Sequence, residues 1–222
     1  MEDNMNDPNE ISSRHKKQLG TMRSFLEGRR YFKALQALEL SRSVEEGFRK
    51  DGITPKFHHQ LAVTRLLTTL EPHFRHPEET LVSSFLHDIV EDHGDTFTVS
   101  FIESKFGPVV SSAVWKLTKK TQGLVKTTDL YFDEMATCPI ASLVKLSDRA
   151  YNLQTMQGVF TIEKQAKYVN EVHQYFYPMI RKARRQFPDQ YPAYENLKIL
   201  LRCQVSLIEG LIEAFRANPS GD

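Results

Sequence analysis

Residues 85–96, FLHDIVEDHGDT, set His87 beside Asp88 and follow them with Glu91 and Asp92. Imidazoles and carboxylates close together bind a divalent cation, and a carboxylate beside the ion can orient a water or take its proton. On a helix over 80–92, Asp88, Glu91 and Asp92 fall within one turn near the C-terminus, where the macrodipole disfavours anions. No lysine or arginine lies between residues 76 and 104 to neutralise them. A bound cation resolves that conflict, whereas an ordinary surface helix with acids opposite its core stripe leaves it standing.

Two ligands do not complete a hydrolytic metal centre. Upstream, FHHQLAVTRLL offers His58 and His59; downstream, SLVKLSDRAYNLQTM sets Asp148 and Asn152 four apart on one helical face, with Lys145 and Arg149 nearby. Histidines near helix starts commonly cap or face solvent, and Asp148 could equally be the partner of a salt bridge. Residue types alone leave both readings open.

These side chains need helices to hold them. At about 100° per residue, Leu81, Val82, Phe85, Leu86, Ile89 and Val90 fill one half of an 80–92 helix, and His87, Asp88 and Glu91 converge on the other. Small residues Thr80 and Ser84 flank them, and Asp92 borders the cluster before Gly94. Helical spacing recurs at Phe32, Leu35 and Leu38, at Leu66, Leu67 and Leu70, and at Leu143, Leu146 and Leu153, while long alternating strand patterns are missing. Gly107 stops one helix and Pro108 starts the next, a signal repeated at Pro139; the segments near Gly52, Gly123 and 187–192 read as loops. The expectation is a single all-α domain of about eight to ten helices over residues 15–222, preceded by a mobile arm at 1–14.

The bulk properties set limits. A chain of 222 residues and 25.7 kDa suits one large domain. With 29 lysines and arginines against 28 aspartates and glutamates, a formal charge of +1 gives no bulk attraction to nucleic acid or an anionic membrane. Cys138 and Cys203 lie far apart, the N-terminus lacks the regions of a signal peptide, and no window approaches 18 apolar residues. The expectation is a cytoplasmic protein in a reducing compartment, with no membrane span.

The ordered set of a histidine, a His-Asp pair 28 residues after His59, and a distant aspartate resembles the HD phosphohydrolase superfamily. The words RKDG (49–52), HQLAV (59–63), LHDIVED (86–92), WKLTK (115–119) and KLSDRAYN (145–152) resemble successive motifs of the hydrolase domain of the RelA/SpoT alarmone family. The resemblance covers about residues 30–180, with C-terminal helices following at 181–217, and implies a stand-alone small alarmone hydrolase without a synthetase domain.

Carried over, the resemblance implies metal ligands His59, His87, Asp88 and Asp148, with His59 favoured over His58 because Leu61 and Val63 fit the histidine motif. It implies Glu91 and Asp92 as the catalytic acid pair, and Arg49, Lys50 and Asn152 as nucleotide contacts, with Lys119, Lys145 and Arg149 as further phosphate-binding cations. The implied ion is Mn2+, with Fe2+ or another divalent metal as substitute, because mixed nitrogen and oxygen ligands suit an open octahedral site. The implied reaction removes the 3′-pyrophosphate of guanosine tetra- and pentaphosphate (ppGpp and pppGpp). The same chemistry on adenosine alarmones, the 2′-phosphate of NADPH or pyrophosphorylated RNA ends is the runner-up, and an alarmone sensor or the antitoxin partner of a toxin is a third reading. Four departures stand out: Gln60 replaces a usual proline, Tyr151 a common histidine, His93 a common threonine, and the Arg49 to His59 segment is one residue longer. The aromatic residues Trp115 and Phe176 read as core, and the run RKARRQF (181–187) as a solvated helix face.

Overall fold

The chain punctuates itself into helices, and the computed structural model, which describes residues 8–217, follows that punctuation. In order come α1 (Pro8–Arg29), α2 (Phe32–Val44), α3 (Phe57–Thr68), α4 (Pro77–Phe85), α5 (Ile89–Asp92) and α6 (Val99–Phe106). Then follow α7 (Pro108–Leu117), α8 (Thr128–Ala136), α9 (Ala141–Thr155), α10 (Ile162–Glu171), α11 (Tyr177–Gln186) and α12 (Tyr191–Ala217). Between α7 and α8 a small antiparallel hairpin pairs β1 (Lys120–Thr121) with β2 (Leu124–Val125). Among the described residues the regular structure is helical apart from that hairpin, as the sequence predicts.

Threonine hydroxyls cap three helix starts: Thr98, Thr127 and Thr161 accept from the backbone N–H of Phe101, Leu130 and Lys164. Gly107 takes φ 96°, a conformation disfavoured for L side chains, and so ends α6 directly against Pro108 at the start of α7.

α9 is the central post. It packs against α3, α4, α7, α8, α11 and α12, so even its polar residues Asp148 and Arg149 are buried. The apolar stripe of 80–92 is buried throughout, as its periodicity predicts. Trp115 is half-buried and Phe176 fully so. The 181–187 run belongs to α11 and its following turn, where Lys182 and Arg184 pair with Asp133 and Glu195, and does not reach the cluster on α9.

Two expectations are corrected. Residues 8–14 are the first two turns of α1, not part of an arm; Pro8 opens the helix, a position where its missing N–H costs nothing. Residues 1–7 of the expected arm, and 218–222, lie outside the described residues.

Residues 80–92 are not one helix. α4 ends at Phe85, Leu86 to Asp88 form a turn, and α5 starts at Ile89. The His87 ring donates from Nδ1 to the Ser84 carbonyl at 2.7 Å, inserting a side chain where the helical ladder would continue. The Ile89 N–H then bonds the Leu86 carbonyl, three residues back, at 3.1 Å. Apolar periodicity cannot register this break, because the buried stripe continues across it.

Candidate metal centre

Three elements bring the ligand candidates together: His59 from α3, His87 and Asp88 from the turn after α4, and Asp148 from α9. His59 Nε2 lies 3.2 Å from both His87 Nε2 and Asp148 Oδ1. Asp88 Oδ2 lies 3.0 Å from His87 Nε2 and 3.9 Å from His59 Nε2. His59, His87 and Asp148 form a mutually close group able to hold one ion, and Asp88 stands at its more open edge.

This donor set fits a divalent cation. Bonds of about 2.1 Å at right angles put neighbouring ligand atoms about 3 Å apart, which is the spacing of the two ring nitrogens. The Nδ1 bond to Ser84 fixes the His87 ring and aims Nε2 at the cluster. Asp148 is held on both oxygens, by Asn152 Nδ2 at 2.6 Å and Lys145 Nζ at 2.8 Å. His58 faces the other way, with Nδ1 3.1 Å from the Tyr151 hydroxyl and Nε2 3.0 Å from Gln18 Oε1. The structure therefore sets the two adjacent histidines on opposite sides, His59 in the cluster and His58 away from it.

Charge follows the same geometry. Burial favours the neutral form of Asp148, but Lys145, His59 and His87 outweigh it and hold the carboxyl well below its usual range. Burial lowers the His59 pKa, whereas in His87 the Asp88 and Asp148 carboxylates overcome burial and raise it to about 9. Burial, then the Asp88 and Glu91 carboxylates, push the Asp92 pKa up.

Two cavities meet at Asp88 and Lys145. The larger, of about 470 Å³, contains His59, Asp88, Asp92 and Asp148, with Arg49, Lys50 and Asn152 on its walls. Phe48, Met156, Phe160 and Tyr168 give it an aromatic and apolar lining as well. Arg49 hydrogen-bonds Asn152 Oδ1 at 3.3 Å and lies over the Tyr151 ring at 5.4 Å, while Lys50 lies 5.3 Å from the Phe160 ring centre. The smaller cavity, of about 160 Å³, is lined by Glu91, Lys119, Tyr131, Arg149 and Glu171 beside the shared pair.

The acids Glu91 and Asp92, adjacent in sequence, thus face different cavities. α5 and the turn after it are held by the hairpin and the residue before it: the backbone N–H of Lys119 donates to Glu91 at 2.9 Å, and Gln122 Nε2 donates to the Gly94 carbonyl at 3.1 Å. A Cβ at Gly94 would sit 2.5 Å from the Val90 carbonyl oxygen, so only glycine allows this close return. Arg149 is mostly buried between Tyr168 and Phe176, 4.4 and 4.6 Å from their ring centres, and pairs with Glu171 at 2.7 Å.

The aromatic lining of the large cavity was not read from the sequence. Phe160 and Tyr168 belong to the turn after α9 and to α10, and neither carries a chemical signal of its own. Glu45 was also missed: its side chain is buried, 3.8 Å from His93, and burial followed by Asp88 raises its pKa. Its place at the end of α2 gave no pattern to find it by.

The site is thus a buried His/Asp cluster at a helix break, braced by the central helix α9. No family model matches the sequence. The chain is 30% identical over 134 residues to a protein described as a probable GTP pyrophosphokinase of Mycobacterium leprae, covering 58% of this chain and 16% of that protein. It is 30% identical over 142 residues to a probable guanosine-3′,5′-bis(diphosphate) 3′-pyrophosphohydrolase of Synechocystis, covering 60% of this chain and 18% of that one. The chain thus spans less than a fifth of the length of these curated relatives. A solved structure described as a metazoan ortholog of SpoT that hydrolyses ppGpp has the same fold, with a TM-score of 0.54 and 23% identity, over 74% of this chain and 93% of that one. The chain thus shares the fold of that structure and is similar in sequence to a segment of these two relatives. Among the described residues no helix is long and apolar enough to cross a membrane.

Proposed function

We propose that the protein is a manganese-dependent 3′-pyrophosphohydrolase of guanosine alarmones, converting ppGpp or pppGpp to GDP or GTP and pyrophosphate. The observation that carries this reading is the position of the His59, His87, Asp88 and Asp148 cluster where a nucleoside-sized cavity adjoins a smaller one lined by three cations, Lys119, Lys145 and Arg149, and three acids, Asp88, Glu91 and Glu171. A nucleoside fits the large cavity, between Arg49, Lys50 and the aromatic lining. The smaller space, with Lys119, Lys145 and Arg149, suits two phosphoryl groups.

His59, His87, Asp88 and Asp148 would hold the ion, which when bound acidifies water and neutralises charge on the phosphoryl oxygens. The attacking water approaches phosphorus from the side opposite the ribose 3′-oxygen, which is the small-cavity side. Glu91 stands there to orient the water and accept its proton. Asp92, in the large cavity, stands on the leaving-oxygen side, and its raised pKa suits proton donation. The new bond joins the water oxygen to phosphorus, the bond to the 3′-oxygen breaks, and the 3′-hydroxyl takes up a proton as pyrophosphate departs. Asn152 and Arg49, hydrogen-bonded to each other, set the ribose and base side.

The test is a substrate panel in added manganese, following pyrophosphate and orthophosphate separately. ppGpp, the adenosine alarmones, NADPH and pyrophosphorylated RNA ends are compared at equal concentration. Release of pyrophosphate from ppGpp faster than product from the others supports the reading. Orthophosphate from NADPH as the fastest product would replace it.

A further inference from the structure

Behind α9, on the side away from the metal cluster, lies another cavity of about 470 Å³, as large as the catalytic one. α1, α3, α9 and α12 enclose it, and it shares Tyr151 and Thr155 with the catalytic cavity. Arg14 and Arg65 bring two positive charges to it, and among the described residues no acidic side chain lines it. Among the described residues, neither arginine has an ion-pair partner. Leu66 and Leu200 supply apolar wall.

One buried polar atom lacks a partner here. Gln204 donates from Nε2 to the Ala150 carbonyl at 2.9 Å, which fixes its amide and leaves the buried Oε1 without a hydrogen bond. A buried acceptor left unmade is costly, and a donor group on a ligand satisfies it. Two cations, apolar wall and a buried amide acceptor are the features that hold phosphate, base plane and exocyclic amine.

We infer that this cavity is a second nucleoside-phosphate site, separate from the catalytic cavity and divided from it by the Tyr151 side chain. Tyr151 hydrogen-bonds His58 on this side and carries the Arg49 guanidinium over its ring on the other. The inference does not depend on the reaction run at the metal cluster.

The experiment is calorimetric titration of the full chain, in manganese, with GDP, ADP and inorganic pyrophosphate. For at least one of the nucleotides two equivalents per chain are expected. Arg14→Ala/Arg65→Ala should weaken one equivalent at least tenfold and leave the other; Arg49→Ala should do the reverse. Both arginines are exposed, so an unchanged melting midpoint shows that the fold is intact. A single equivalent insensitive to Arg14→Ala/Arg65→Ala, or no nucleotide binding sensitive to it, overturns the inference. Pyrophosphate binding there as tightly as the nucleotides would also overturn it, showing a plain anion patch.

Discussion

Lys145 Nζ sits 2.8 Å from Asp148 Oδ2, so the carboxylate at the heart of the cluster is also half of a buried ion pair. Removing Asp148 therefore does two things. Asp148→Ala is expected to abolish binding of about one manganese or iron per chain and to strand Lys145. Breaking a buried pair from one side costs about 3 kcal/mol. Lys145→Met in the same chain should recover most of that stability without recovering metal. Elemental analysis and urea unfolding separate the effects; full metal content in Asp148→Ala would remove this residue from the ligand set.

Glu91 and Asp92 face different cavities and are predicted to act on different protons. Glu91→Gln and Asp92→Asn should each keep the metal while slowing turnover by about 10²- to 10⁴-fold. Biological activity that survives Glu91→Ala/Asp92→Ala would point instead to a protein that acts by binding, as a sensor or as an antitoxin.

Arg149 combines a structural clasp with a place on the small cavity wall. Its stacking between Tyr168 and Phe176 uses a planar guanidinium that lysine does not supply. Arg149→Lys should lower the melting midpoint by roughly 5 °C, at about 2–4 °C per kcal/mol for a chain of this size. An unchanged midpoint with a raised KM would assign Arg149 to substrate alone.

Arg75 grips Asp189 through two hydrogen bonds, of 2.9 and 2.5 Å, and this holds the Asp189 carboxyl below its usual pKa. A depressed folded pKa contributes stability above the unfolded value and loses it as pH falls through the folded one. The melting difference between the unaltered chain and Asp189→Asn should thus be present at pH 6 and vanish towards pH 2. A difference that grows on acidification contradicts the assignment.

Much of this arrangement was legible before any coordinates. Helical spacing, Gly107 with Pro108, and the buried stripe of 80–92 are local signals, and local signals survive into the fold. The pairing of His59 with Asp148 is non-local and entered through the resemblance of ordered motifs, not through spacing. The turn at 86–88 was invisible because a side-chain hydrogen bond, His87 to Ser84, makes it. Glu91 and Asp92 point about 100° apart on α5, and that they open onto different cavities depends on where α5 sits, which spacing does not give. The aromatic lining of the large cavity depends on α10 packing back over α9, which no single residue announces.

The short hairpin after α7 gains significance from what it touches. It packs against α5, follows directly on the Lys119 backbone that bonds Glu91, and through Gln122 bonds the Gly94 carbonyl just past α5, yet it supplies none of the metal-ligand candidates. Substitutions at Lys120 to Val125 can thus change how fast the site turns over while metal affinity stays constant. Variation there has a place to move Glu91 without touching the candidate ligands.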